Sequence, residues 1–355
     1  ALESAASDLD PAVRARALAL LVRHSPAPGG GDWAPRGLYD PSSWVQHAVI
    51  DALADRTTDP AAAAHLADLA ARAGLDPYVR CDAALELARR SGPDPGLLAV
   101  TRQAEAEAGA PWRAAPCALA AGALGDPDAE PRLAEILREG ELPFDIAFVA
   151  DVGRSGSAAL IPALAEAADL VEEPLRPAIG AALLHLGSPR GEAVLREGLS
   201  APHPQPQLEA LDYLADLDHP DSTDALRRAA SAVKGEARTY AQLILLGRGD
   251  GGVTVAEEAA ISDDREVRGW AMRFAGEAVR HARRTEPDRR LEKVATRLLL
   301  QGATDLDDPV REAAAAAMAA LPAAQVAPTL EGLLTDDNAR VRVEAAGALL
   351  ARRSP

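Results

Sequence analysis

Two cysteines, Cys81 and Cys117, are all that the 355-residue chain contains, and no CxxC pair occurs. That excludes a disulfide scaffold and a cysteine-based zinc site, and it leads us to expect two buried, reduced thiols in a reducing compartment. Long apolar runs are missing as well. No apolar run of about 18 residues occurs, so no transmembrane helix is expected. The start, Ala1-Leu2-Glu3-Ser4, lacks the basic region and apolar core of a signal peptide. The expected location is therefore cytoplasmic. Alternating apolar and polar residues, the mark of a half-buried strand, do not extend beyond Val253-Thr254-Val255. None of the seven histidines pairs with another at helical spacing, and no HExxH, GxSxG or phosphate-loop phrase occurs. No metal, cofactor or catalytic constellation is expected.

Positive charge is also short. Lys+Arg is 37 against 54 for Asp+Glu, a net charge of −17. Lys234 and Lys293 are the sole lysines. The arginine excess, with abundant Ala, Gly and Pro, fits a GC-rich, bacterial genome and is not read as function. An acidic surface repels phosphate backbones, whose affinity for proteins comes from Lys and Arg displacing counterions. It is equally unsuited to anionic membranes. Protein or peptide partners of basic and apolar character remain the best match.

What the chain does have is one phrase, repeated. Asp10-Pro11-Ala12-Val13-Arg14, Asp76-Pro77-Tyr78-Val79-Arg80, Asp264-Arg265-Glu266-Val267-Arg268 and Asp308-Pro309-Val310-Arg311 each lead into Ala and Leu at helical spacing. Asp40-Pro41 and Asp337-Asn338-Ala339-Arg340-Val341-Arg342 are further copies, and decayed ones follow Pro111, Pro143, Pro174 and Pro206. The spacing of roughly 30 residues is that of helical-pair arrays. Asp can cap a helix start, Pro suits its first turn, and Val with the following Ala and Leu forms an apolar stripe. The Arg can reach an acid in the next unit. A second apolar helix precedes each phrase, as at 61–73, 130–137, 158–168 and 326–334.

This pattern resembles the HEAT-like repeats, close to the short repeats named for the phycobilisome lyases. The resemblance implies an all-α, right-handed α-α solenoid of about eleven helical pairs. We expect one continuous array: regular repeats over 1–246, then further repeats over 247–355 after a Gly-rich loop, with a longer helical segment inserted at 277–305. Both ends lack a polar capping repeat and are expected to fray or to meet another copy. The fold serves scaffolds, adaptors, a bilin-lyase group and alkylpurine DNA glycosylases, so it leaves function open. A scaffold or adaptor is the leading expectation. A glycosylase- or lyase-type enzyme and a self-assembling structural array are the alternatives.

One feature rises above this background. Of eleven aromatic residues, four occupy the same slot in four successive units: Trp44, Tyr78, Trp112 and Phe144. Stacked repeats would line them up in the first turn of each second helix. The row is either a binding strip, since rings dominate binding hot spots, or filler between Ala-rich repeats. Asp51, Asp55, Asp82, Glu86, Asp145 and Asp151 fall on or just after the same helices; with Asp82 and Asp145 beside the rings, the strip would suit a basic peptide with apolar anchors. His47, one turn from Asp51 and near Trp44, is the best catalytic fragment, but it has no evident nucleophile. A second candidate patch is basic: Arg280, Arg283, Arg284 and Arg290, with Arg289, Lys293 and Arg297, interspersed with Glu277, Glu286, Asp288 and Glu292.

Overall fold

The computed structural model describes residues 1–138, 146–171, 175–216 and 222–352, and these form helices joined by short turns. In chain order the helices are α1 (Leu2–Ala5), α2 (Pro11–His24), α3 (Trp33–Leu38), α4 (Ser43–Ala54), α5 (Pro60–Ala71), α6 (Pro77–Ser91), α7 (Pro95–Glu107) and α8 (Pro111–Ala123). Next come α9 (Ala129–Arg138), α10 (Ile146–Arg154), α11 (Ile161–Leu170), α12 (Leu175–His185), α13 (Pro189–Leu199), α14 (Pro204–Asp216), α15 (Ser222–Ala232) and α16 (Gly235–Gly247). The last are α17 (Thr254–Ala259), α18 (Arg265–Arg284), α19 (Arg289–Gly302), α20 (Asp308–Ala317), α21 (Ala323–Leu333) and α22 (Ala339–Leu350). Taken two by two, they are the expected eleven pairs of an α-α solenoid, and no strand occurs among the described residues. No helix is long and apolar enough to cross a membrane among the described residues.

The repeated phrase works as its chemistry suggests. Asp76 Oδ1 accepts a hydrogen bond from Tyr78 N at 2.9 Å, Asp10 Oδ1 from Ala12 N at 2.8 Å and Asp264 Oδ1 from Glu266 N at 2.7 Å. Each satisfies a donor that a helix start leaves open. Pro77 and Pro111 sit at the first helical position, where no N–H is needed. Val79, Ala83, Ala84 and Leu87 then turn inward as one buried stripe. Leu124-Gly125 and Leu186-Gly187 close helices with glycine at φ of 89° and 82°. Asp126 N reaches back to Ala121 O, and Ser188 N to Leu183 O, at 2.9 Å each.

The phrase arginine does tie neighbouring units. Arg80, buried, donates to Glu107 Oε2 at 2.6 Å and to Ala70 O at 3.2 Å. Arg268 reaches Asp305 at 2.9 Å and Asp307 at 2.6 Å, and Arg311 reaches Asp336 at 2.8 Å. Arg14, Arg268 and Arg311 also donate to carbonyls just before their own helices, Arg14 to those of Asp8 and Leu9. The long step between Asp264 and Asp308 holds α18, which runs for 20 residues, and α19, which runs for 14.

The chain forms two compact units. One comprises residues 18–198; the other, the terminal unit, comprises 1–17 together with 199–355. In the 18–198 unit, second helices pack on second helices, α4 on α6 and α6 on α8, while α5 packs on α7 behind them. In the terminal unit the same holds for α14, α16, α18, α20 and α22. Here the expectation of frayed ends is overturned. The first residues pack on the last helix, α1 against α22. Arg16 grips the buried Glu344 through two hydrogen bonds at 2.5 and 2.8 Å, and Arg340 lies 3.4 Å from Asp10. The N-terminal copy of the phrase thus takes the place of the next repeat.

The cysteines also correct an expectation. Cys81 on α6 and Cys117 on α8 are joined by a disulfide and are fully buried. Equivalent faces of consecutive second helices bring them together, and their separation of 36 residues is close to one repeat.

Candidate functional site

The second helices of the 18–198 unit share a cavity of about 820 Å³. Trp44, Tyr78 and Trp112 each occupy the second position of α4, α6 and α8, and all three line it. Large rings that merely filled gaps between repeats would be buried. Instead Trp44 is 62% exposed and Trp112 41%. Tyr78, half-buried, stacks at 4.8 Å on the ring of His47. Arg113 lies over the Trp112 ring at 5.0 Å. The fourth expected ring, Phe144, and its neighbour Asp145 lie outside the described residues. The ring that α10 contributes is Phe148, buried in the cavity wall.

One to two turns further along the same helices the wall changes character. It carries four carboxylates, Asp51 from α4, Asp82 and Glu86 from α6 and Asp151 from α10, against two guanidinium groups, Arg89 and Arg154. The arginines are committed. Arg89 bridges Glu86 and Asp151, the latter at 2.5 Å, and Arg154 also holds Asp151. Asp82 Oδ2 meets His47 Nδ1 at 2.6 Å. The histidine is therefore paired with the next helix and not with Asp51, the acid one turn along its own. Asp51 keeps no hydrogen bond or ion pair among the described residues. Solvent still reaches it, yet protein atoms crowd it. That desolvation, with the charges of Asp82, Glu86 and Asp151 added, pushes its pKa up to about 6. Burial, then Asp82, raises Glu86 as well, opposed by Arg89.

The arrangement suits holding a cation more than breaking a bond. Ser43 lines the cavity one turn before His47, and among the described residues no hydrogen bond is seen between the two. Among the described residues no group of three or more His, Cys, Asp or Glu is placed to hold a metal ion. The wall continues into a second cavity of about 540 Å³ that shares Leu85, Arg89, Leu119, Asp151 and Arg154.

The basic patch of the terminal unit is divided. Arg280 lines a cavity of about 520 Å³ with Arg16, Arg273, Glu312 and Glu344. Arg289, Lys293 and Arg297 line another, of about 700 Å³, with Glu292 and Gln325. Arg283 lies 3.7 Å from Glu292, Arg284 donates to Arg280 O, and Arg290 is exposed. Acids interleave with the basic residues in both places.

The sequence profile of HEAT repeats matches residues 296–355, the stretch that holds α20 to α22. At the level of fold, the chain resembles the HEAT-like repeat proteins. Among solved structures, the HEAT-like chain is similar to human deoxyhypusine hydroxylase, at 21% identity over 90% of this chain and 95% of that one, with a TM-score of 0.31. It is similar to importin beta at 12% identity over 99% of this chain and 57% of that one, TM-score 0.41. UNC-45 from Drosophila melanogaster follows at 17% identity over 99% of this chain and 51% of that one, TM-score 0.25. The chain thus spans just over half of the latter two. These likenesses concern fold alone. A comparison with curated protein sequences finds no match.

Several residues of the site escaped sequence reasoning. Phe148 stands four residues beyond the slot that the other rings occupy, so position in the repeat pointed to Phe144 instead. Arg89 and Arg154 looked like ordinary helix-surface charges. Arg154 meets Asp151 three residues away on its own helix, and Arg89 reaches the same carboxylate from α6.

Proposed function

We propose that this HEAT-like chain is a binding scaffold that holds a partner protein or peptide of basic and apolar character on the second-helix face of the 18–198 unit. The observation that carries the reading is the coexistence, on one cavity wall, of two exposed tryptophans and an unpartnered carboxylate, Asp51. Exposed rings in a soluble fold leave apolar area for a partner to cover. A desolvated carboxylate that lacks a cation is stabilised when one arrives. The same carboxylates disfavour nucleic acid.

The test is selection from a displayed peptide library. Peptides retained by the wild-type chain are expected to be enriched in Lys or Arg and in Leu, Phe or Met. The double substitution Trp44→Ala/Trp112→Ala, shown by circular dichroism to be folded, is expected to weaken them by about tenfold or more, as loss of hot-spot rings does. Peptides that bind both proteins equally well would remove the groove from consideration and direct attention to the arginine-lined cavity around Arg280.

A further inference from the structure

If the groove is a partner site, as proposed above, its dimensions select the conformation of what it holds. The aromatic row runs across α4, α6 and α8, one ring per helix, each at the second helical position. Packed helices lie about 8–10 Å apart. A partner crossing the row must therefore offer apolar groups at about that interval, on one side. An extended chain offers same-side residues about 7 Å or about 13 Å apart and misses the interval. Residues seven apart on an α-helix repeat every 10 Å or so on nearly one face and match it.

The second row gives the same answer in the other direction. Asp51 lies seven residues beyond Trp44, and Asp82 and Glu86 lie four and eight beyond Tyr78. The carboxylates are thus displaced from the rings by about 6–12 Å along the helix axes. That is about the width of one α-helix with its side chains. A helix laid over the rings would place its flanking positions above the acids. Asp151 is already neutralised by Arg89 and Arg154. Asp82 meets His47 and Glu86 meets Arg89, so among the described residues the unsatisfied negative charge of the wall lies at Asp51.

We propose that the occupant of this groove is a basic amphipathic α-helix of a partner protein, crossing α4, α6 and α8 with heptad-spaced apolar residues on Trp44, Tyr78 and Trp112, and with a lysine or arginine on its flank seated at Asp51. Charge complementarity and the ring interval carry the assignment, and each is independent of the other. The site is of the helix-in-groove kind, in which anchors recur along one face.

Two synthetic peptides of about 18 residues with the same number of Leu and Arg residues test it, with the intact chain as receptor. One carries Leu at heptad spacing with Arg on one flank and is stapled as a helix. The other carries the same residues in strict alternation, with a central proline that forbids a helix. The stapled peptide is expected to bind at least tenfold more tightly by fluorescence anisotropy. It should lose that advantage against Trp44→Ala/Trp112→Ala, and it should weaken severalfold against Asp51→Asn. Moving its leucines from heptad to five-residue spacing, with the staple kept, should abolish the preference. If the alternating peptide binds as well or better, and the tryptophan substitutions still weaken it, the helical occupant is wrong while the groove stands. If neither peptide responds to the tryptophan substitutions, both the helix and the groove are wrong.

Discussion

Asp51 pays for its position with stability. An acid whose pKa is raised in the folded chain, here to about 6 from an ordinary value near 3.8, has its ionised form disfavoured by folding. The cost is absent at pH below the unfolded value, where both states hold the proton. It grows as pH rises between the two values and is complete above the folded one. Asp51→Asn is accordingly expected to stabilise the chain at pH 8 by ~1 kcal/mol, a figure reduced because solvent screens a side chain that it reaches. The gain should vanish near pH 4, and urea melts at the two pH values check it. The same substitution should weaken a basic ligand, since protonation of Asp51 removes the charge the ligand meets; wild-type binding should fall as pH drops through about 6. Opposite signs on stability and binding are what a functional residue shows and what a merely structural one does not. Trp44, Tyr78 and Trp112 were legible because repetition marks equivalent positions. The partner of His47 was not, because helical spacing reveals neighbours on one helix and Asp82 comes from the next.

Between elements, the bond from Cys81 to Cys117 joins α6 to α8, the helices that carry Tyr78 and Trp112. Cys81 itself lines the cavity. The bond fixes the spacing of two of the three rings. Closing a loop across 36 residues is worth about 3–4 kcal/mol on chain-entropy grounds. Cys81→Ser/Cys117→Ser is expected to lose about that much and to lower the affinity of a groove ligand along with it. In denaturant without a reductant, neither sulfur should take an alkylating reagent, and after reduction both should, as mass spectrometry will show. Alkylation without reductant would mean two thiols and would favour a reducing, cytoplasmic setting; protection would favour an oxidising one. The sequence carried the adjacency of the two residues, one repeat apart on stacked helices. It could not carry the bond, because two cysteines in a long chain are more often both reduced.

At the scale of the whole chain, the number and order of the helices were readable from the repeated Asp-Pro phrase. The docking of residues 1–17 against α22 was not. A contact between sequence extremes leaves no periodic mark, and Arg16 and Glu344 are unremarkable charges until they meet. Glu344 is buried and depends on Arg16 for two hydrogen bonds. Arg16→Ala, which strands that carboxylate, is expected to cost the terminal unit about 2 kcal/mol, reduced from the value for a fully buried pair because half of the Arg16 side chain is exposed. Glu344→Gln, which keeps the shape and removes the charge, should cost less. Denaturant melts of the two variants will separate them, and equal losses would deny the pair its role.

The docking also sets an order of events during synthesis. Residues 1–17 leave the ribosome well before the surface they cover, which includes residues 339–350. At about 5–20 residues per second, the early segment waits roughly tens of seconds for its site. Residues 18–198 can meanwhile complete a core of their own. Leu2, Ala6 and Val13, all buried in the finished protein, spend that interval without the helix that will cover them. For a newborn chain this is the period when a chaperone, a protease or a neighbouring nascent copy has access to them.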